Sequence, residues 1–277
     1  MREFNREDLQ RHAFRIRRRI IHTIATNGEG HAGGALSISD CMSVVAFAAC
    51  SEERAPLLRD KIILSAGHKC LALYSMLAER GDLSEDVFST YNHLGTIIPG
   101  HPDATKIPEI DFSTGSLGHG LPVGCGFALT AKKLGLPYNT FVMMGDGEQG
   151  EGSNWEAAAF AAHNRLNNLI AILDENGLQI NGTTAEICKP TEYAERYEAF
   201  GWYVQRVDGH DVGAIYDALA NTQKAKKPSL IVAKTVKGKG VSFMENKAKY
   251  HHWNPDAEEG QKVIDEFDEY GRVRGWL

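Results

Sequence analysis

Two uninterrupted apolar runs, Thr140-Phe141-Val142-Met143-Met144 and Leu169-Ile170-Ala171-Ile172-Leu173, constrain the fold of this chain more than any other feature. Each has strand length and neither alternates apolar with polar residues, so both read as strands buried on two faces, as in a parallel sheet. Between them, segment 152–168 carries Ser153 and Asn154 as capping candidates, then an Ala-rich, helix-forming stretch through Glu156, Ala157, Ala158, Ala159 and Phe160. Strand, crossover helix and second strand form the unit from which parallel sheets are built.

Each run ends on a polar turn. Asp146 lies in Met144-Gly145-Asp146-Gly147-Glu148, and Asn176 follows thirty positions later in Leu173-Asp174-Glu175-Asn176-Gly177. Both tips fall at the carboxyl ends of their strands, where open α/β sheets bind ligands. Gly145 and Gly147 are expected to let the backbone turn and to let phosphate oxygens approach without meeting a Cβ. The amino end of the intervening helix is expected to face the same anion, which its free N–H groups and dipole favour.

Asp146 and Asn176 are hard oxygen ligands, and the backbone carbonyl of Leu178 is a third candidate. Such a set suits Mg2+, which takes few protein oxygens and completes its octahedron with water and phosphate; another divalent cation such as Ca2+ or Mn2+ is the alternative. A lone Gly-Asp-Gly is ordinary turn chemistry. Its spacing to Asn-Gly after a second strand points instead to a metal-bound diphosphate.

Periodicity predicts helices near 6–26, 37–50, 69–80, 122–135, 153–167, 191–200, 211–224 and 257–269, and strands near 61–65, 140–144, 169–173, 202–207 and 229–235. This alternation implies an α/β fold, a parallel sheet flanked by helices on both faces. In 277 residues no Gly/Ser or Pro tract or internal repeat divides the chain, so 1–277 is expected to be a single domain. The 28 glycines against 9 prolines suit many tight strand-to-helix turns.

Thirty Lys and Arg against 36 Asp and Glu give a formal charge of −6, which argues against a nucleic-acid surface. The local exception is 11–21, with Arg11, Arg15, Arg17, Arg18 and Arg19; it is expected to be a solvated basic helix face, with pairing to an acidic partner as the other reading. No apolar stretch approaches transmembrane length and no signal-peptide core opens the chain, so a cytoplasmic location with no membrane contact is expected. Cys41, Cys50, Cys70, Cys125 and Cys188 are odd in number and lack paired spacing, which suggests neither disulfides nor a zinc site and mostly small buried residues.

Three of the 11 histidines, His31, His68 and His101, sit in Gly-His contexts on predicted loops, with His68 opening a helix after Ile62-Ile63-Leu64. Structural loop residue and ligand-facing residue are both open for each.

With the Asp146 and Asn176 turns in hand, the chain resembles the amino-terminal half of transketolase, a thiamine diphosphate enzyme. The resemblance runs nearly end to end through Gly30-His31-Ala32-Gly33-Gly34, Ser65-Ala66-Gly67-His68-Lys69, Pro99-Gly100-His101-Pro102-Asp103, Thr114-Gly115-Ser116-Leu117-Gly118-His119-Gly120 and Lys234-Thr235-Val236-Lys237-Gly238-Lys239-Gly240. It implies the thiamine diphosphate-binding fold, with His68, Gly147 and Asn176 on the cofactor diphosphate and Gly115, Ser116 and Leu117 along its rings. His31 and His101 then contact sugar hydroxyls and the developing oxyanion. His251 matches a further family histidine near substrate and diphosphate, with Tyr250 where the family has tryptophan and His252 an adjacent competitor. Ser116 and His119 stand where full-length transketolases commonly have proline and glutamine. Ile187 is a candidate for packing against the rings, with a core position as the other reading. Glu151 matches a glutamate that meets a second one from a neighbouring protomer and shares a proton with it; a helix N-terminal carboxylate favoured by the dipole is compatible with that.

The resemblance also implies the reaction, transfer of a two-carbon ketol unit from a ketose phosphate to an aldose phosphate, with protein groups positioning and polarising around the cofactor. In the family the glutamate that activates the cofactor lies in a separate pyrimidine-binding domain, for which the chain up to Leu277 leaves no room. A split enzyme is therefore expected, its partner being a C-terminal transketolase subunit, in an α2β2 heterotetramer inactive without it. The alternatives are a deoxyxylulose-phosphate-synthase-like enzyme joining pyruvate to a sugar phosphate, a transketolase for a sulfonated or branched sugar, or a non-catalytic scaffold subunit.

Overall fold

The computed structural model describes residues 1–53, 55–188 and 191–277. The apolar runs form the middle of a five-stranded, all-parallel sheet. In chain order the elements are α1 (Arg6–Asn27), α2 (Ala32–Ser37), α3 (Ser39–Val44) running into a π turn (Val45–Ala49), β1 (Lys61–Leu64), a 3-10 turn (Gly67–Lys69), α4 (Cys70–Glu79), α5 (Gly120–Leu134) and β2 (Thr140–Gly145). A second 3-10 turn (Gly147–Gly150) precedes α6 (Gly152–His163), β3 (Leu169–Glu175), the hairpin β4 (Leu178–Gln179) and β5 (Gly182–Thr183), α7 (Thr184–Cys188), α8 (Tyr193–Ala199), β6 (Tyr203–Asp208), α9 (Val212–Thr222), β7 (Ser229–Lys234) and α10 (Ala257–Arg274). The strand order is β1-β2-β3-β7-β6, with β2 and β3 in register from Thr140 opposite Leu169 to Gly145 opposite Asp174.

Successive side chains of each central strand feed opposite layers. Phe141 and Met143 of β2, Ile170 and Ile172 of β3 and Ile231 of β7 join α1, α3, α4 and α9 in one core. Val142, Met144, Ala171, Leu173, Leu230 and Val232 join α5, α6 and α8 in the other. Both faces are thus covered, which is why these strands show no polar alternation.

The five predicted strands and their parallel arrangement are observed. The helix expected at 37–50 is instead two short helices and a π turn beginning at Ala32. Gly33 and Gly34 lower helix propensity and concealed this start; a Cβ on Gly33 would lie 2.7 Å from the Tyr250 carbonyl, and one on Gly34 2.9 Å from the Lys69 chain. The helix expected at 153–167 stops at His163, and that expected at 257–269 runs to Arg274, closed by left-handed Gly275. Capping by Ser153 and Asn154 is not found: Glu151 holds the cap position of α6, Ser153 Oγ donates to the Gly118 carbonyl at 2.8 Å, and Asn154 Nδ2 to the Glu148 carbonyl at 2.8 Å.

The basic segment of α1 is not a solvated face. Arg17 is buried on Asp40, Arg18 binds Asp268 of α10 through Nε and Nη2 at 2.7 and 2.8 Å, Arg15 and Arg19 reach Glu79, and Arg11 pairs with Asp8. Arg15, Arg17, Arg18 and Arg19 therefore tie α1 to α3, α4 and α10, and Arg11 pairs within α1. Four of the five cysteines are buried and Cys188 is exposed. Among the described residues no helix is long and apolar enough to cross a membrane.

Candidate active site

Four loops meet at the carboxyl edge of the sheet, those leaving β1, β2, β3 and β7. They surround a cavity of about 90 Å³ lined by Ala66, His68, Lys69, Leu117, Gly145, Asp146, Gly147, Glu148, Asn176, Leu178, Gln179, Ile180, Lys237 and His251. Asp146, Asn176 and Leu178 thus face one space. Asp146 accepts the Gly147 N–H at 2.8 Å through one oxygen and the Gly177 N–H at 2.5 Å through the other, so it bridges the tips of β2 and β3. Gly177, at φ +79°, makes the left-handed turn that returns the chain toward the cavity. Asn176 Oδ1 accepts the Leu178 N–H at 3.1 Å, and the Leu178 carbonyl accepts from the Lys237 ammonium at 3.2 Å.

Gly145 and Gly147 serve the site differently from the expectation. Neither takes a left-handed φ; a Cβ on Gly147 would lie 3.0 Å from Gln179 Cβ, and one on Gly145 3.3 Å from Lys69 Nζ. They make room for two side chains. Of the helix-end expectation, Gly147 and Glu148 of the 3-10 turn border the cavity, and no residue of α6 does. The turn inserts itself between β2 and the helix.

Charge in this pocket is arranged by burial. Asp146 is pushed up to about 6, first by desolvation and then by the neighbouring Asp174 carboxylate, with Lys69 and Lys237 pulling the other way. The Lys237 ammonium is lowered to about 8 by desolvation and by Lys69. A buried carboxylate with too little positive charge around it, beside a carboxamide oxygen and a carbonyl already holding a cationic group, is a donor set that fits a small hard cation. Among the described residues no group of three or more His, Cys, Asp or Glu side chains is placed to hold a metal ion, so any cation here would rely on the carboxamide and carbonyl oxygens beside Asp146.

The histidines converge. The His31 ring lies 5.5 Å from His68, 6.2 Å from His101, 5.4 Å from His251 and 4.7 Å from His252, centre to centre, and His68 lies 4.9 Å from His251. Desolvation is the main cause that lowers His31 to about 4, reinforced by His252, His101 and Lys237. It lowers His68 to about 2, with Lys69 next, and His251 to about 3, with Lys237 next. These three are neutral imidazoles at neutral pH, each with one N–H to donate and one nitrogen to accept. Lys237 Nζ stands 3.2 Å from His251 Nδ1, and His252 Nδ1 is paired with Asn254 at 2.6 Å, so of the two adjacent histidines it is His251 that faces the cavity.

Of the ring-loop residues, Leu117 lines the cavity, Gly115 abuts His101, and Ser116 is exposed. Left-handed Gly118 (φ +78°) lets this loop lie against Glu151, whose Cβ is 2.5 Å from where a Gly118 Cβ would sit. Glu151 itself is exposed at the head of α6. Ile187 is neither a core residue nor part of the cavity lining, being 47% exposed on α7; the apolar side chain at the cavity mouth is Ile180, 65% exposed.

Sequence reasoning missed the charged floor. Lys69 pairs with Asp174 at 2.6 Å, both fully inside, and Asp174 also accepts from Ser37 at 2.6 Å, from Asn176 at 3.3 Å and from Thr235. Burial alone would raise Asp174; Lys69 and these hydroxyls overcome it and hold it low. Buried Glu148 accepts from Ser65 Oγ, from the Gly118 N–H at 2.9 Å and from the Gly145 N–H at 3.0 Å, and desolvation nevertheless raises it. It clamps the ends of β1 and β2 to the ring loop.

A parallel sheet whose strand tips assemble an oxygen donor set, two lysines and neutral histidines defines a diphosphate-binding α/β protein. The family model "Transketolase, thiamine diphosphate binding domain" matches residues 9–267. The chain is 39% identical to one subunit of the apulose-4-phosphate transketolase of Actinobacillus succinogenes over 264 residues, 94% of this chain and 96% of that one. It is 38% identical to one subunit of a 6-deoxy-6-sulfo-D-fructose transketolase from a Clostridium species, covering 95% and 98%. The transketolase of Campylobacter jejuni superposes with a TM-score of 0.90 at 31% identity, covering 97% of this chain and 43% of that one. The chain belongs to the transketolase family of transferases, matches these separate subunits of split transketolases along nearly their whole length, and carries the family's thiamine diphosphate-binding domain.

Proposed function

We propose that this chain, folded as one domain, is the diphosphate-binding subunit of a two-component transketolase working in the cytoplasm. The convergence of Asp146, Asn176, Leu178, His68 and His251 on one cavity is the observation that supports it. Asp146, Asn176 and the Leu178 carbonyl hold the divalent cation, Mg2+ first among candidates; His68, Gly147, Asn176 and Lys237 hold the diphosphate, and Leu117, Gly115, Ser116 and Ile180 bound the rings. When bound, thiamine diphosphate supplies a thiazolium carbanion and an electron sink for breaking and making the bond beside a ketose carbonyl.

The chain's own residues orient and polarise. Neutral His31, together with His101, donates N–H bonds to the substrate carbonyl oxygen and hydroxyls, a stabilisation strongest when negative charge gathers there. His251, whose Nδ1 stands 3.2 Å from Lys237 Nζ, would accept or return a proton at the substrate hydroxyl.

A pyrimidine-binding partner chain completes the site in an α2β2 assembly, with Glu151 at the junction; the exposed Ile180 at the mouth fits a cover from outside the chain. The solved transketolase is more than twice as long as this chain, which also supports a second component. For substrate, the resemblance to subunits named for apulose-4-phosphate and for a sulfonated fructose favours a branched or sulfonated sugar. A scaffold without chemistry has no support while the cation and histidine set stands complete. Reconstitution with the companion subunit, assayed against phosphorylated, branched and sulfonated ketoses with a sugar aldehyde acceptor, tests the proposal. Ketol transfer dependent on both chains is expected; no transfer from any donor by a cofactor-loaded complex would overturn it.

A further inference from the structure

A second buried charge cluster lies behind the site. Arg17 of α1 donates from Nε to the Leu36 carbonyl of α2 at 3.0 Å and from both terminal nitrogens to Asp40 of α3. Asp40 is held low because Arg17, followed by His210, outweighs the cost of its burial. On its other side Asp40 Oδ2 stands 2.7 Å from Nδ1 of His210, in the turn between β6 and α9. The far ring nitrogen of His210, Nε2, lies 2.9 Å from the backbone nitrogen of Val236, in the loop after β7.

The protonation pattern follows from these partners. An amide can only donate, so Nε2 carries no proton; the ring proton is on Nδ1, where the ionised Asp40 accepts it. A group that donates at one end and accepts at the other is what the gap requires, and lysine or arginine supplies no acceptor. Nothing in the chemistry assigned to the cavity uses this histidine.

Val236 sits between two residues of the site. Thr235 donates to Asp174, and Lys237 reaches the Leu178 carbonyl and His251. The same loop donates from Gly238 to the Gly33 carbonyl of α2, the helix that His31 caps. Arg17 and Asp40 therefore grip the His31 element from one side and, through His210, the Lys237 element from the other.

We propose that His210 is a positioning residue: carrying the Arg17–Asp40 pair to the Val236 N–H, it fixes the β7 exit loop and so sets where Lys237 and Thr235 stand at the diphosphate site. The functional half of this rests on the reading of the cavity given above; the mechanical half does not.

Two variants and one measurement on the unaltered protein test it. His210→Phe keeps a flat ring without the acceptor, and His210→Gln keeps one donor and one acceptor. In His210→Phe the Val236 amide is expected to exchange with solvent about tenfold faster, the loss of one buried hydrogen bond. In the complex with the companion subunit, the thiamine diphosphate dissociation constant should rise by a similar factor while kcat at saturating cofactor falls less. His210→Gln should restore both. Unchanged Val236 exchange in His210→Phe would overturn the proposal, as would faster exchange with unchanged cofactor affinity. Should His210→Phe not fold, nitrogen NMR of the unaltered chain decides: an unprotonated Nε2 on His210 supports the assignment and a protonated one refutes it. Neither amide exchange nor the nitrogen signal needs cofactor, so their failure is distinguishable from failure of the transketolase reading.

Discussion

Replacing Lys69 by Met removes the ammonium paired directly with Asp174 and leaves a carboxylate at 0% exposure. Breaking a buried pair from one side costs about 3–5 kcal/mol, because the remaining charge has lost its compensation. Asp174 keeps Ser37, Thr235 and Asn176 as donors, which places the cost at about 3 kcal/mol, the lower end of that range. For a chain of this size that is a fall in melting temperature of roughly 6–12 °C. The double variant Lys69→Met, Asp174→Asn buries no charge and should recover most of the loss.

The pH dependence should differ between the two proteins. In the unaltered chain Asp174 is held below its ordinary value, so its contribution is complete above the unfolded carboxylate range and fades as pH falls through the folded value. In Lys69→Met the Ser37, Thr235 and Asn176 donors oppose burial without that ammonium, so the folded pKa of Asp174 rises relative to the unaltered chain and the deficit should shrink as pH is lowered through that range. Thermal unfolding of the three proteins from pH 4 to 8 measures this. A single variant as stable as the unaltered chain, or a double variant no more stable than the single one, would refute the reasoning.

His31, His68 and His251 are held neutral by burial, so the ligand-free chain should lose stability as pH falls below about 6.5, by up to about 1.4 kcal/mol per pH unit for each histidine; inorganic pyrophosphate with Mg2+ should raise their pKa values in an NMR titration, and unchanged values would count against an anion beside them. Ile180→Ala should leave the melting temperature within about 2 °C, since the side chain is mostly exposed, yet weaken thiamine diphosphate binding in the complex, whereas Ile187→Ala should change neither. Asp268→Asn, which loosens α10 from Arg18 and His22 of α1, should cost about 1–2 kcal/mol in urea unfolding without altering cofactor affinity; a change in affinity would mean that α10 reaches the site.

What the sequence made legible and what it hid have different physical origins. The sheet was readable because strands covered on both faces are apolar along their buried lengths, as 141–144 of β2 and 169–173 of β3 are. Asp146 and Asn176 were readable because each directly follows such a run. The Lys69–Asp174 pair was not, because its partners stand 105 residues apart and an ammonium on the floor of a sheet has no local signature. Nor was the internal pairing of Arg15, Arg17, Arg18 and Arg19 of α1, whose acids lie on α3, α4 and α10. Ile180 escaped because it sits in the turn of a hairpin whose arms are two residues each, too short for periodicity to mark.

The central claim is that Asp146 and Asn176 together hold a divalent cation and, through it, a diphosphate. Isothermal titration of thiamine diphosphate into the assembled complex, with Mg2+ and with the metal chelated, for the unaltered protein and for Asp146→Ala, tests it most directly. Binding that needs Mg2+ and weakens by about 100-fold in the variant, equivalent to roughly 3 kcal/mol, is the result expected. Equal binding by both proteins, or binding indifferent to the chelator, would contradict it.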